Sequence, residues 1–381
     1  MRVKQLRIRN FRNYTQAQIE PSSGLNVLVG ANAQGKTNLL EALYYASTFR
    51  PLRPVRESDL IRWGEQEAHL HLHFLRQGIE DELTIRIPLM GKRMVFLNGQ
   101  PVSRQSELVG RLKVVCFTAQ DLSLIRGEPA ERRRFLDSEL SLISPRYLYS
   151  AVQYRRCLEQ RNNLLRAHLE GHASLESLPE WDMQLVKYGA RLFSERRRFL
   201  EQLQIFAAEI YAMLTGGSEV FQLVYQPGLP RKQQLPDKEE DWADALWAAL
   251  HEVGSEEIRR GMSLVGPHRD DFMVLIDGHE ARLFASQGQQ RTGALSLRLA
   301  EVPLLEKRIE ESPVVLLDDV FSDLDTTRRA RLIQFLQPRA QTFLTCTDMT
   351  GEEWRIVSDY RALSEVMIYR IEGGTIRCES V

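Results

Sequence analysis

Hydrophobic and polar residues alternate along several short stretches in the first third of the chain. These alternating segments are HLHLHF at 69–74, ELTIRIPL at 82–89 and MVFLNGQPV at 94–102. A period of two is typical of strands with one buried face. The pair Asn98-Gly99 in the third segment is a strong hairpin-turn signal. The pattern therefore predicts a strand-rich N-terminal part.

A continuous apolar run precedes these strands. LNVLVG at 25–30 ends in glycine and leads into KTNLLEALYYAS at 36–47, whose apolar residues fall at helical spacing. We interpret this segment as a buried strand, a glycine turn and a helix.

Between about residue 131 and residue 257, the hydrophobic residues recur at helical spacing instead of alternating. Long amphipathic helices are predicted there. They cover 132–143, 148–169 and 181–214, and loop-like segments at 170–180 and 225–241 separate them.

Strand patterns return after this helical block, and the first of them, at 271–284, contains an Asp277-Gly278 hairpin signal. This order predicts an α/β head domain formed from both ends of the chain, with an inserted helical arm. The expected boundaries are 1–125 for the N-terminal lobe of the head, 126–257 for the arm and 258–381 for the C-terminal lobe.

Composition excludes several classes of protein. The chain has 381 residues, 43% hydrophobic and 27% charged, and a formal net charge of −1. It contains no apolar run long enough to cross a bilayer and no signal-peptide pattern, and its four scattered cysteines suggest neither a zinc site nor a disulfide framework. We expect a cytoplasmic protein without a membrane partner, and any binding of nucleic acid must come from local basic clusters.

The segment GANAQGKT fits the phosphate-binding pattern G-x-x-x-x-G-K-[ST] and lies between a predicted strand and helix, as that motif requires. Backbone N–H groups and the helix N-terminus bind the phosphates of ATP in such a loop. Lys36 is expected at the β- and γ-phosphates, and Thr37 at Mg²⁺. The predicted ATP-binding residues are Gly30, Ala31, Asn32, Ala33, Gln34, Gly35, Lys36, Thr37 and Asn38.

A second apolar strand ends in the pair Asp318 and Asp319. We expect Asp318 to hold the hydrated Mg²⁺, and Asp319 to orient or deprotonate the attacking water. Paired carboxylates after a strand also occur as plain helix caps, but the upstream phosphate loop favours the catalytic interpretation.

The segment SQGQQ enters another predicted helix. A second anion site is indicated by Ser286, Gly288 and the helix N-terminus. Such a site would have a function if it bound the γ-phosphate held by a neighbouring subunit. SQGQQ, including Gln289, resembles the signature of ABC-type ATPases, and SDLD, ending at Asp325, resembles the loop after their catalytic carboxylates. The resemblance implies an ATP-dependent homodimer with Ser286 acting in the partner's site.

Several further segments together resemble the RecF family of bacterial recombination mediators: LRIRNFRNY, GEPAERRRFLD, GPHRDDF and SQGQQR. The likeness covers nearly the whole chain. It implies an ABC-type ATPase head and an ATP-dependent DNA-binding dimer of recombinational repair. It also implies partners, namely RecO and RecR and, through them, RecA loaded at single-strand gaps.

The chain departs from the wider ABC pattern at two positions. Asp319 stands where most of these ATPases have glutamate, so slow turnover is expected. Thr347 stands where a switch histidine is expected. Gln120 is our candidate for the glutamine that links the γ-phosphate to the arm. It is also a candidate ligand of Mg²⁺.

Contacts to DNA at gaps, junctions or duplex are expected from basic residues. The candidates are Arg7, Arg9, Arg12, Arg132, Arg133 and Arg134. His69, His71 and His73 share a strand face and could bind a metal, although a polar strand face is the simpler account.

Two alternative functions remain open from the sequence. One is the ATPase subunit of an ABC transporter, and the other is a chromosome-maintenance ATPase of the SMC or break-repair type. The second requires heptads sustained through most of the insertion, and the predicted loops interrupt them.

Overall fold

The computed structural model describes residues 1–103, 108, 110–230, 235–337, 339–348 and 365–379. Its strands are β1 Arg2–Phe11, β2 Tyr14–Ile19, β3 Leu25–Val29, β4 Glu67–Arg76, β5 Ile79–Pro88, β6 Met94–Leu97, β7 Gln100–Pro101, β8 Val114–Phe117, β9 Phe221–Gln226, β10 Asp271–Ile276, β11 His279–Glu280, β12 Val314–Leu317, β13 Thr342–Cys346, β14 Val366–Glu372 and β15 Thr375–Glu379. Its α-helices are α1 Lys36–Thr48, α2 Ser123–Arg126, α3 Pro129–Ile143, α4 Pro145–Leu169, α5 Leu178–Thr215, α6 Glu239–Arg260, α7 Ala281–Phe284, α8 Gln287–Ile309 and α9 Thr326–Leu336.

The chain divides into two compact units. The first, the head, comprises residues 1–121, 209–219 and 287–381, and the second, the arm, comprises 122–208 and 220–286. The arm therefore extends past the expected boundary at 257. The physical reason is that β10 pairs with β9 along its whole length, which keeps the segment before Ser286 within the arm.

One sheet of the head is antiparallel, with the strand order β2-β1-β4-β5-β6-β7. Its strands alternate as predicted: Leu70, Leu72 and Phe74 of β4 are buried, while the histidines between them lie on the other face. Asn98 and Gly99 turn β6 into β7 with φ angles of 51° and 76°, both in the left-handed region that this hairpin needs.

The other sheet of the head has the order β15-β14-β3-β13-β12-β8. The strands from β14 to β8 are parallel, and β15 alone is antiparallel to its neighbour. Every residue of β3, β8, β12 and β13 is buried, which explains their continuous apolar runs. Parallel pairing brings the carboxyl ends of β3, β12, β13 and β8 to one edge.

The core of the head joins both sheets to α1. Leu39, Leu40 and Leu43 of α1 pack in one cluster with Leu70 of the antiparallel sheet and Phe343 of the parallel sheet. The helix ends at Phe49, whose φ of 55° breaks the helical backbone. This packing holds the N-terminus of α1 at the carboxyl edge of β3.

The arm contains the predicted long helices as α3, α4 and the part of α5 up to Ala208, and α6 follows them. It also contains a three-stranded sheet with the order β11-β10-β9. Strand β9 lies in a region where we expected only helix and loop. The hairpin after Asp277-Gly278 is shorter than expected, because β11 stops at Glu280 and residues 281–284 form α7.

None of the described helices is both long and apolar enough to cross a membrane.

Candidate functional site

The predicted phosphate loop lies between β3 and the first turn of α1, from Gly30 to Asn38. Two of its residues have left-handed backbone angles, Ala33 with a φ of 66° and Gly35 with a φ of 119°. Gly30 lies against β14, and a Cβ at this position would be 2.3 Å from the carbonyl oxygen of Ile371. Glycine is therefore required at residue 30 by close packing against β14.

Lys36 folds back across this loop. Its Nζ donates hydrogen bonds to the carbonyl oxygens of Gly30 and Ala31, the second at 2.9 Å. Burial lowers the pKa of Lys36, while the carboxylates of Asp319 and Asp318 oppose that shift. The ammonium is thus held at the loop and interacts electrostatically with both acidic side chains, and a positive charge there would complement a triphosphate.

Thr37, Asp318 and Thr345 form a hydrogen-bonded cluster at the carboxyl edge of the parallel sheet. The Thr37 hydroxyl is 2.9 Å from both carboxylate oxygens of Asp318, and the Thr345 hydroxyl is 2.9 Å from its Oδ1. Burial raises the pKa of Asp318, and the two hydroxyl hydrogen bonds act in the opposite direction. The cluster joins the first turn of α1 to the ends of β12 and β13.

This cluster has the donor set that Mg²⁺ prefers, because the Thr37 hydroxyl and the Asp318 carboxylate offer hard oxygen ligands. A divalent cation there would also offset the cost of burying the Asp318 charge. The residues present therefore fit a magnesium ion bound together with phosphate oxygens.

Asp319 is exposed beside this cluster. Its φ is 54°, an uncommon value for a residue with a side chain, and its N–H donates to the Thr345 hydroxyl at 2.8 Å. Strained backbone of this kind is often found at functional sites. Thr345 therefore contacts both the carboxylate of Asp318 and the backbone of Asp319.

The FRNY motif at 11–14 supports the phosphate loop directly. The Asn13 side chain donates to the carbonyl oxygen of Gln34 at 2.9 Å and accepts from Asn38. The Tyr14 hydroxyl donates to the carbonyl oxygen of Gly35 at 3.0 Å. These contacts hold the loop from the side of β1 and β2.

Arg12 of this motif pairs with Glu41 of α1 through two hydrogen bonds of 2.7 and 3.0 Å, and Glu41 is 2% exposed. Its third nitrogen donates to the Asp59 carbonyl. The Arg12 guanidinium is thus engaged within the head, and the structure gives it a role in holding α1 and the segment after α1.

That segment carries Arg53, which the sequence reasoning missed. Arg53 is exposed, and its charge lowers the pKa of Asp318. It belongs to no motif of its own, so only the fold reveals its position near Asp318. Gln120 lies three residues beyond β8, and the N–H of Asp318 bonds to the carbonyl of Phe117 in that strand. Gln120 therefore follows a strand that ends beside Asp318, and its side chain is exposed.

The signature segment surrounds the start of α8. Ser286 is exposed and directly precedes the helix, while Gly288 and Gln289 lie in its first turn. The Gln289 side chain donates to Glu219 at 2.8 Å, and the Tyr211 hydroxyl bonds to the same carboxylate.

Asp325 caps α9 by accepting the N–H of Arg328 at 2.9 Å, which is a local structural contact.

The candidate DNA-binding arginines differ in their availability. Arg7 and Arg9 are exposed on β1, and Arg134 is exposed on α3. Arg132 is 7% exposed in its side chain and pairs with Asp271 through two hydrogen bonds of 2.6 and 2.9 Å. Arg133 donates to the carbonyl of Asp270. Arg132 is therefore a buried structural residue of the arm in this structure.

Comparisons with known proteins decide the family. The sequence matches the RecF/RecN/SMC N terminal domain family over residues 2–353. It is 36% identical over 381 residues to the DNA replication and repair protein RecF of Bacillus mycoides, covering 100% of this chain and 99% of that protein. The chain belongs to the RecF family. RecF of Bacillus cytotoxicus is 35% identical over 379 residues, with the same coverage of both chains.

Solved structures agree with this RecF assignment. A structure described as the recombination mediator protein RecF with ATP in the RecFOR pathway superposes with a TM-score of 0.87 at 29% identity, covering 100% of this chain and 98% of that one. An SMC head bound to a ScpA domain superposes with a TM-score of 0.57 at 16% identity, which supports the shared fold alone. The predicted α/β ATPase head with a helical insertion is confirmed.

Proposed function

We propose that this chain is an ATP-dependent DNA-binding protein of recombinational repair and replication restart, whose ATPase cycle acts mainly as a switch. The observation that carries the proposal is the cluster of Thr37, Asp318 and Thr345 directly beneath the phosphate loop, in a chain of the RecF family. Membership of this family also disfavours the transporter alternative. Strand β9, which interrupts the helices of the arm, argues against a long SMC-type coiled coil.

The residues of the site have separate roles in phosphoryl transfer. Lys36 stabilises the β- and γ-phosphates. Thr37 and Asp318 would hold Mg²⁺, which when bound would supply charge neutralisation to the phosphate oxygens. Asp319 orients the attacking water as a general base. Because its side chain is one methylene shorter than glutamate, it holds that water less closely, and turnover is slow.

Completion of this site requires a second copy of the chain. Ser286, Gly288 and Gln289 present a hydroxyl and the N-terminus of the 23-residue helix α8, a combination suited to an anion. Each copy already has its own phosphate loop, so this second group acts on the γ-phosphate bound by the partner. ATP thus stabilises a homodimer and hydrolysis releases it.

The ATP-bound dimer clamps DNA at single-strand gaps, junctions or duplex, and DNA stimulates its turnover. Arg7, Arg9 and Arg134 are exposed cations available for phosphate contacts. The partners are RecR and RecO, through which RecA is loaded. The family assignment and the RecFOR context of the ATP-bound relative support these partners.

The test is the mass of the protein in solution with ATP, with ADP and without nucleotide, measured by analytical ultracentrifugation. Ser286→Arg should abolish the ATP-dependent dimer and leave ATP binding to the monomer within about twofold, because it places a bulky cation at the interface alone. Ser255→Arg, on an exposed position of α6, is the matched control and should dimerise normally.

Lys36→Met should lose both ATP binding and the dimer, since it removes the phosphate-binding ammonium. A Ser286→Arg protein that dimerises with ATP as well as the wild type does would refute the shared site.

A further inference from the structure

Two histidines and a glutamate converge on the outer face of the antiparallel sheet. His71 and His73 are two residues apart on β4, so their side chains point to the same face. The residue opposite His73 on β5 is Glu82, and the residue opposite His71 is Thr84. The pleat and the register therefore bring these side chains together on neighbouring strands.

The distances are those of a preformed ligand set. The Nε2 atoms of His71 and His73 are 3.0 Å apart, and their rings meet edge to face at 69°. The His71 Nδ1 is 3.6 Å from Glu82 Oε1. One ligand atom from each of the three residues lies within 4.8 Å of the others, and among the described residues this is the group of three that meets such a criterion.

Both ring nitrogens of His71 are hydrogen-bonded, Nε2 to His73 Nε2 and Nδ1 to Thr84, and a metal ion at Nε2 would replace the contact between the two rings. The His71 Nδ1 is 2.9 Å from the Thr84 hydroxyl, and a ring that donates its Nδ1–H there has Nε2 available as a ligand.

We propose that His71, His73 and Glu82 form a binding site for a divalent transition metal, with Zn²⁺ as the best match. Two imidazoles and one carboxylate are a common donor set for Zn²⁺. Zn–N bonds of about 2.0 Å in tetrahedral geometry place two nitrogens roughly 3.3 Å apart, close to the spacing between the two rings. The side chains are half-buried, which leaves a fourth position for water.

This site differs chemically from the one formed by Thr37 and Asp318. Imidazole nitrogens select zinc, copper and nickel, whereas hydroxyl and carboxylate oxygens select magnesium. Arg7, opposite His71 on β1, is a positive charge that opposes a cation. Arg7 is exposed, so water screens its repulsion.

The experiment is calorimetric titration of Zn²⁺ into the nucleotide-free full-length chain, in buffer with excess Mg²⁺ to occupy hard oxygen sites. One equivalent should bind. His71→Ala and His73→Ala should each weaken binding by about tenfold or more, and Glu82→Gln should also weaken it, because each removes a ligand. His69→Ala is the matched control, since His69 lies on the same strand face and contacts Glu67 instead.

Co²⁺ provides a second readout, because its visible spectrum reports tetrahedral coordination. The absence of a thiolate charge-transfer band would exclude the exposed Cys378 as the ligand. The proposal is overturned if Zn²⁺ does not bind, if His71→Ala and His73→Ala bind as the wild type does, or if His69→Ala loses as much affinity as they do.

Discussion

At the scale of single residues, several motif positions serve packing as well as chemistry. Gly30 begins the phosphate loop, but its missing side chain also allows the Ile371 carbonyl to approach. Arg12 pairs with Glu41, and Asn13 and Tyr14 bond to the loop backbone. The FRNY motif is therefore largely a support for the phosphate loop. Sequence reasoning assigned Arg12 to DNA because a pattern of charge does not show which carboxylate lies opposite.

The Gly30 packing leads to a prediction for Gly30→Ala. A methyl group there must displace the backbone of β14, so we expect a loss of about 1–3 kcal/mol in unfolding free energy and a marked loss of ATP affinity. Urea denaturation and nucleotide titration measure the two effects.

Gly254→Ala is the matched control, because a Cβ at this position in α6 meets nothing within 4 Å. It should stabilise the protein by roughly 0.5–1 kcal/mol, the usual gain on replacing glycine within a helix. Equal behaviour of the two variants would contradict the packing role of Gly30.

At the scale of elements, a buried polar network joins the pieces of the arm. Arg196 of α5 bonds to Asp137 of α3 and to Asp270, both at 2.7 Å, and to the Tyr147 hydroxyl of α4 at 2.9 Å. The Tyr225 hydroxyl of β9 donates to Asp270 at 2.6 Å. Because every member has a partner, the network specifies how three helices meet the small sheet.

His268 beside this network should make the stability of the arm depend on pH. Burial lowers its pKa to about 4, and the neighbouring Arg269, Arg133 and Arg161 act in the same direction. Since the folded-state pKa lies below the unfolded value of 6.5, its contribution is present above pH 6.5 and is lost as the pH falls toward 4.

We therefore compare the wild type with His268→Gln, which retains a polar group near the Tyr154 hydroxyl. The stability advantage of the wild type should shrink by up to about 3 kcal/mol between pH 6.5 and pH 4. The comparison also cancels the opposing effect of Asp270, whose pKa burial raises to about 6. Chemical denaturation followed by circular dichroism gives both curves, and parallel curves would rule the explanation out.

Strongly periodic elements could be predicted from the sequence, and context-dependent ones could not. The helices α3 to α5 and the strands β4 and β5 have unmistakable periods. Strand β8 is only four residues long, and β9 lies between helices, so neither has a pattern that outweighs its neighbours. In the candidate site, motifs led to the segment 30–38 and to Asp318, which the structure brings together. No motif led to Thr345 and Arg53, because parallel pairing and loop placement alone bring them to the carboxylate.

At the scale of the whole molecule, DNA binding must come from local clusters, since the formal net charge is only −1. Arg7 and Arg9 are adjacent exposed cations on one face of β1. Each phosphate contact that is lost should reduce the slope of log affinity against log salt by about 0.9 for duplex DNA.

For the double variant Arg7→Ala and Arg9→Ala, we expect the slope to fall by about 1.8 in the presence of ATP. Fluorescence anisotropy over a series of salt concentrations measures it. Arg377→Ala, which removes an exposed strand arginine outside the candidate clusters, should leave the slope unchanged. An unaltered slope in the double variant would show that β1 is not part of the DNA-binding surface.

The position of β3 between β13 and β14 has a consequence for biosynthesis. Both neighbours of this early strand come much later in the chain, after residue 341, and the Gln34 side chain accepts a hydrogen bond from the N–H of Gly373 at 2.6 Å. A ribosome-bound intermediate lacks these partners for on the order of tens of seconds at ordinary elongation rates. The nascent polypeptide should thus acquire affinity for nucleotide only after β13 and the β14–β15 hairpin have emerged, which delays activation well beyond the synthesis of the loop itself.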